Sequence, residues 1–278
     1  MPRVRHCLSA HTQLFRCTIA CAVIVCAAIA AAADLQENTN RAFDDYAAQA
    51  TRVFVERSRG TMSATNGAVA TPAVLPRDGE VVARPAHEDG IVDVPGGLVH
   101  HWSGSTFIAG VTLQDALNVS YDYNGYHAVY TPVIASKLLG HEGNTYRVLM
   151  RLRGSGGGLS AIIDVTSRVQ FFYPDSRSAY SISTSEEIRE LRNVGTSTER
   201  SLSPGHDSGY LWRAAMFTYL VERNNGVFVQ MEAIALSRGY PALLQWIIEP
   251  VARRLGRNSV ERSLNEFTKT VRARAQSQ

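Results

Sequence analysis

Three stretches of the 278-residue chain carry side chains able to hold a metal, move a proton or anchor a ligand. The first, Leu98 to Gly104, reads LVHHWSG, and its adjacent imidazoles suit metal binding or acid–base work near neutral pH. The second, Tyr121 to Pro132, reads YDYNGYHAVYTP. Its tyrosines suit the mouth of a cavity, because a phenol ring offers an apolar face with a hydroxyl at the tip; packing of a short helix on a sheet explains them equally. The third, Val229 to Pro241, reads VQMEAIALSRGYP and places Glu232 among apolar residues. A carboxylate buried there needs a cation, and Arg151, Arg153 or Arg213 on neighbouring strands could supply it. A structural ion pair is the first reading of Glu232, and a general base with a shifted pKa the second.

Other chemistry is excluded. The chain contains no G-x-S-x-G elbow, no P-loop, no G-x-G-x-x-G between strand and helix, and no H-E-x-x-H. The glycine run from Gly154 to Gly158 joins two strands and reads as a hairpin rather than a phosphate cradle. No cofactor is implied.

At the N-terminus, Arg3, Arg5 and Arg16 precede the apolar run IACAVIVCAAIA and the small-residue exit Ala31-Ala32-Ala33. This predicts a secretory signal over residues 1–33, cleaved before Asp34, and hence export to the periplasm or beyond. The apolar run of about 14 residues is short of the roughly 18 to 20 needed to span a membrane. All four cysteines lie in this segment. The mature chain therefore has no disulfide, no thiol nucleophile and no cysteine-ligated metal. Without the leader's three arginines, 25 basic residues face 25 acidic ones. Bulk charge thus offers nucleic acid nothing.

The period of the apolar residues predicts the elements. Asp34 to Gly60 reads as an amphipathic helix with Phe43, Tyr46, Ala50, Val53 and Val55 near one side, followed by a linker to residue 78. A short strand is expected at Gly79 to Arg84. After Pro95-Gly96-Gly97 the period becomes two, giving a strand from Leu98 to Ile108. Thr112 and Asp115 then signal a helix start. Strands follow at Thr145 to Arg153, Leu159 to Tyr173 and Ser178 to Glu187. Two more, Tyr210 to Glu222 and Val227 to Leu236, flank Asn224-Asn225-Gly226, a strong hairpin turn. A long helix from about Pro241 closes the chain, kinked or divided at Pro250 and Gly256. Its apolar stripe must bury against the strands. The result is an α+β fold: a curved antiparallel sheet wrapped around the C-terminal helix, with a cavity between them.

The segments VPGGLVHHWSGSTFIAGVTLQDAL, YDYNGYHAVYTPV, HDSGYLWR and VQMEAIALSRGYPALLQWIIEPVARRL resemble exported bacterial members of the START and pollen-allergen-like superfamily, SRPBCC. The resemblance runs from about Phe43 to Val271, with the domain proper over residues 79–275. It implies the helix-grip fold and leaves activity open, since lipid carriers, cyclases, hormone receptors and oxygenase subunits share that fold. The implied function is binding or transport of a hydrophobic or amphipathic, lipid-like molecule. The alternative is a cavity-based cyclase, dehydratase or hydrolase using His, Tyr, Arg and Glu. The cavity candidates are His100, Trp102, Tyr123, His127 and Tyr130 from the first two stretches, and Arg151, Trp212, Tyr219, Met231 and Trp246 beyond them. Arg253, Arg254, Arg257 and Arg262 on the last helix are solvated or touch anionic lipid heads transiently.

That fold constrains the histidine pair. Neighbouring side chains of a strand point to opposite faces, so His100 and His101 cannot chelate one metal together. The plain reading is one structural histidine and one facing solvent. The functional reading turns one of them inward: His100, which shares a side with Leu98 and Trp102, with the face of His101, Val99 and Phe107 as the alternative.

Overall fold

A computed structural model of the chain describes residues 36–59, 75–156, 159–203, 206–239 and 242–277, with the side chains of 155, 156, 159, 242–249 and 251 excepted. The predicted leader lies outside the described residues.

Helix α1 covers residues 36–58. Strands β1 (Val82–Pro85), β2 (Ile91–Val94) and β3 (Gly97–Ala109) follow, then helix α2 (Leu113–Tyr121), a 3-10 turn (Tyr123–Gly125) and helix α3 (Tyr126–Val129). Strands β4 (Val133–Glu142), β5 (Thr145–Gly156), β6 (Leu159–Asp175), β7 (Ser178–Arg192), β8 (Arg200–Ser201), β9 (Arg213–Arg223) and β10 (Gly226–Arg238) lead into helix α4 (Ala242–Ala275). All strand pairings are antiparallel in the order β1-β3-β10-β9-β7-β6-β5-β4, with β2 beside β3 and β8 beside β7. With α4 packed across this sheet, the fold is the expected helix-grip α+β arrangement.

Local signals act where expected. Thr112 Oγ1 accepts from the Asp115 backbone N–H at 3.2 Å while Asp115 Oδ2 accepts from the Thr112 N–H at 2.8 Å, the reciprocal capping box that starts α2. Asn224 and Asn225 both take positive φ, 50° and 58°, in the two-residue turn from β9 to β10. β2 and β4 lie beyond the expected set. β2 has only four residues, and β4 is an edge strand whose mostly exposed side chains blur the period-two pattern. β9 begins at Arg213 rather than Tyr210, the Trp212 N–H bonding the Leu236 carbonyl at 2.7 Å just before it.

The sheet carries a core on each face. On one, Val260, Leu264, Phe267 and Val271 of α4 pack with Trp102, Ile108, Val229 and Met231. On the other, Phe43 and Phe54 of α1 pack with Val99, Phe217, Ile234 and Leu236. Each such fully buried side chain contributes about 1.5–3 kcal/mol. Arg213 clamps α1 further, pairing with Asp44 at 2.5 Å and lying over the Phe43 ring.

Gly104 sets the approach of α4 to β3. A Cβ there would stand 2.5 Å from Val260 Cγ1 and 2.8 Å from Leu264 Cδ1. Gly104→Val is expected to lift α4 from the sheet and lower stability by about 1–3 kcal/mol in urea denaturation. An unchanged midpoint would show that α4 yields without loss.

Candidate functional site

Strand alternation sends the two histidines to different sites. His100 lies on the α4 side with Trp102 and is hydrogen-bonded through Nε2 to Ser237 Oγ at 2.8 Å. Burial holds its imidazole down to about pKa 4, so it is neutral at physiological pH. His101 is 6% exposed on the opposite face, under α1. Neither histidine is the solvent-facing one of the plain reading.

The α4 side is apolar, with a few isolated polar atoms. Trp102 Nε1, Thr106 Oγ1, Tyr123 Oη and Thr268 Oγ1 are buried without a hydrogen-bond partner among the described residues. Trp102 and Tyr123 belong to the α4-side core; Thr106 lies two residues from Gly104 on the same strand face, and Thr268 follows Phe267 on α4. Met216, whose strand neighbours Ala215 and Phe217 face α1, points to the α4 side and is 42% exposed. The helix therefore leaves part of this face uncovered.

An aromatic belt borders the same face. Tyr121 packs against Tyr146 and Phe171, with ring centroids 5.6 and 4.7 Å apart, and Tyr123 against Tyr126 and Tyr146 at 5.2 and 5.4 Å. Tyr130 meets Tyr126 edge-on at 5.1 Å. Burial raises the phenol pKa values of Tyr123, Tyr126 and Tyr130 well above the ordinary range, so all three remain hydroxyls.

Across the sheet, α1 roofs a cavity of about 660 Å³ floored by His101, Ser103 and Glu232. Glu232 is 1% exposed. Its Oε1 accepts from Arg57 Nη2 and from Gln230 Nε2 at 3.0 Å, and its Oε2 faces His101 Nε2 at 3.4 Å. His101 Nδ1 is hydrogen-bonded to the Tyr46 hydroxyl at 2.9 Å. Burial pushes the Glu232 pKa up, but the His101 hydrogen bond and the Arg57 charge outweigh it and hold the group ionised below its ordinary range. The Tyr46 phenol is raised by burial and by the Glu232 charge, and stays protonated.

The partner of Glu232 is thus Arg57, a residue of α1, and none of the three expected arginines. Arg151 pairs with Asp164 at 2.7 Å and Glu199 at 3.0 Å, and Arg213 with Asp44. The remaining candidates disperse. His100, Trp102 and Met231 share the α4 side, with Tyr123 and Tyr130 at its aromatic border. Arg151 faces away from that side because Val148 and Met150, at the alternate positions of β5, pack into the α4-side core. Trp212 and Tyr219 pack on the α1-side core, Trp212 Nε1 donating to Asp207 Oδ1 at 2.9 Å. His127 is exposed. The Trp246 side chain lies outside the described residues.

Tyr46 and Arg57 are the functional-looking residues that sequence reasoning missed or passed over as packing. A signal existed: positions 43, 46, 50, 54 and 57 fall on one helical stripe, so a phenol and a guanidinium share the face that carries Phe43 and Phe54.

Among the described residues, no three His, Asp or Glu side chains converge as metal ligands, and no helix is long and apolar enough to cross a membrane. Of the four α4 arginines singled out for lipid heads, Arg253 is paired with Asp89 and Arg257 with Glu261, while Arg254 and Arg262 are exposed.

No family model matches the chain, and no curated protein sequence matches it. Among solved structures it is similar to a STAR-related lipid transfer protein from Xanthomonas axonopodis, at 17% identity and TM-score 0.39, over 63% of this chain and 98% of that one. It is similar to human STARD10, at 10% identity and TM-score 0.45, over 69% and 77%. The Zhui aromatase/cyclase from Streptomyces sp. R1128 aligns at 15% identity and TM-score 0.41, over 64% and 96%. The likeness is one of chain path alone. The helix-grip description rests on the strand order and on the placement of α4.

Proposed function

We propose that the protein binds a hydrophobic or amphipathic, lipid-like small molecule between α4 and the sheet, and that it does so outside the cytoplasm. The observation that carries this reading is the set of buried, unpartnered polar atoms on an otherwise apolar face: Trp102 Nε1, Thr106 Oγ1, Tyr123 Oη and Thr268 Oγ1. Each buried polar group without a partner costs about 1–3 kcal/mol, a penalty that a ligand's own polar atoms, or water, would relieve. An apolar wall with few polar anchors is the usual make-up of a small-molecule site. The exposed Met216 side chain supports room for the ligand, and the leader-like residues 1–33 support the location.

The competing enzyme reading needs acid–base groups on that same face. On that face His100 is bonded to Ser237 and the phenols of Tyr123 and Tyr130 hold their protons, while His101, Glu232 and Tyr46 gather beneath α1, where their hydrogen bonds are spent on one another.

Protein purified from its native host and denatured in a mass spectrometer is expected to release an amphiphile. An empty protein that no member of a lipid panel stabilises would overturn the proposal. Thr106→Val provides a sharper check. Replacing an unpartnered buried hydroxyl with a methyl group is expected to raise the stability of the ligand-free protein by about 1 kcal/mol, yet to weaken retention of the amphiphile. Equal retention by the variant would remove Thr106 from the site. N-terminal sequencing of the mature protein is expected to begin at Asp34, and a start at Met1 would overturn export by cleavage.

A further inference from the structure

The cavity beneath α1 has a different chemistry from the α4 side. Three adjacent strands set it. Arg84 of β1 stands opposite Ser103 of β3, and Ser103 stands opposite Glu232 of β10, so the three residues form one line across the sheet on the face that α1 covers. At the buried end of this line every charge is matched: Glu232 holds Arg57 and Gln230 and faces His101.

At the exposed end the balance is different. Arg84 makes no ion pair with any described residue. His87 stands beside the mouth, its ring edge-on to Tyr46 at 6.3 Å. Counting guanidinium and carboxylate groups alone, the lining carries two arginines against one carboxylate, an excess of one positive charge. The walls between mouth and floor are apolar, formed by Ala50, Val53, Pro85 and Val92. The volume of about 660 Å³ falls inside the range of roughly 300–1,000 Å³ typical of small-molecule sites.

We propose that this cavity is a second binding site, for a small organic carboxylate with a compact apolar body. The carboxylate meets the planar fork of Arg84, which matches its two oxygens. The apolar body lies against Val53, Pro85 and Val92 beneath α1. The buried network of Glu232, Arg57, His101 and Tyr46 holds the roof helix over the site and presents the Tyr46 ring to the ligand. This site and the α4-side site lie on opposite faces of the sheet, so each stands or falls separately.

The test is an NMR titration of the full mature chain, labelled in its histidine rings, with benzoate and with benzyl alcohol as its uncharged counterpart. Benzoate is expected to shift His87 and His101 saturably while the exposed His127 and His141 stay unmoved. Benzyl alcohol is expected to bind at least about tenfold more weakly. Arg84→Gln, a change at an exposed position, is expected to weaken benzoate about tenfold or more while the melting temperature stays the same. The absence of a saturable shift at His87 and His101 would overturn the proposal. So would equal affinity for the alcohol, or benzoate binding unchanged in a folded Arg84→Gln protein.

Discussion

Glu232→Ala is expected to lower stability by about 3–5 kcal/mol, because removing one member of a buried ion pair leaves the other uncompensated. The position is 1% exposed, and the carboxylate is the common partner of Arg57, Gln230 and His101. Glu232→Gln keeps the shape and one acceptor oxygen, and should lose less. Urea denaturation of both variants, of Arg57→Ala and of the Arg57→Ala/Glu232→Ala double variant measures the effect; the double change should cost less than Arg57→Ala and Glu232→Ala together. Strict additivity, or a loss under about 1 kcal/mol for Glu232→Ala, would show that the pair does not hold α1 to the sheet. The pH dependence follows from the sign of the shift. The Glu232 pKa is lowered in the folded protein, so its contribution is present above the ordinary carboxylate pKa and is lost as pH falls through the folded value.

A second acid effect belongs to His100 and occupies a different window. Its imidazole titrates at about 4 in the folded protein against 6.5 in the unfolded chain, because burial disfavours the charged form. Between those values the unfolded state binds the extra proton. Stability is therefore complete above about pH 6.5 and falls as pH drops toward 4, by on the order of 3 kcal/mol. His100→Gln keeps a polar group near Ser237 Oγ and removes the titration. Denaturant midpoints measured at pH 7 and pH 4.5 should separate widely for the unaltered protein and much less for the variant. Equal separation in both would assign the acid loss to other groups. The steps from His100 and Glu232 can be read apart because the histidine step is largely complete before the carboxylate step begins.

Much of the architecture was legible because it depends on short-range rules. The alternation in LVHHWSG separates His100 from His101 whatever the rest of the chain does. Asn224-Asn225-Gly226 supplies the positive φ values that its hairpin requires, and Thr112 with Asp115 supplies the helix cap. The strands that escaped notice, β2 and β4, are short or at the edge, where exposure removes the apolar alternation. The candidate site was legible only in part. Periodicity correctly grouped Gln230 and Glu232 on one strand face and Val229 and Met231 on the other, but assigned the carboxylate to strand arginines.

The sequence by itself determined which side chains travel together: the two faces of β3, the two faces of β10 and the stripe of α1. The helical and strand periods follow from backbone geometry, which each segment carries alone. Only the tertiary structure decided what each face meets. Arg57 reaches Glu232 across 175 positions of chain because Phe43 and Phe54 dock α1 on the outer side of the sheet, opposite α4. That docking turns His101 into part of a buried polar network, while burial on the α4 side leaves His100 a neutral imidazole beside Ser237. Neither outcome is written in a local period, because each depends on the desolvation and charge brought by an element distant in sequence.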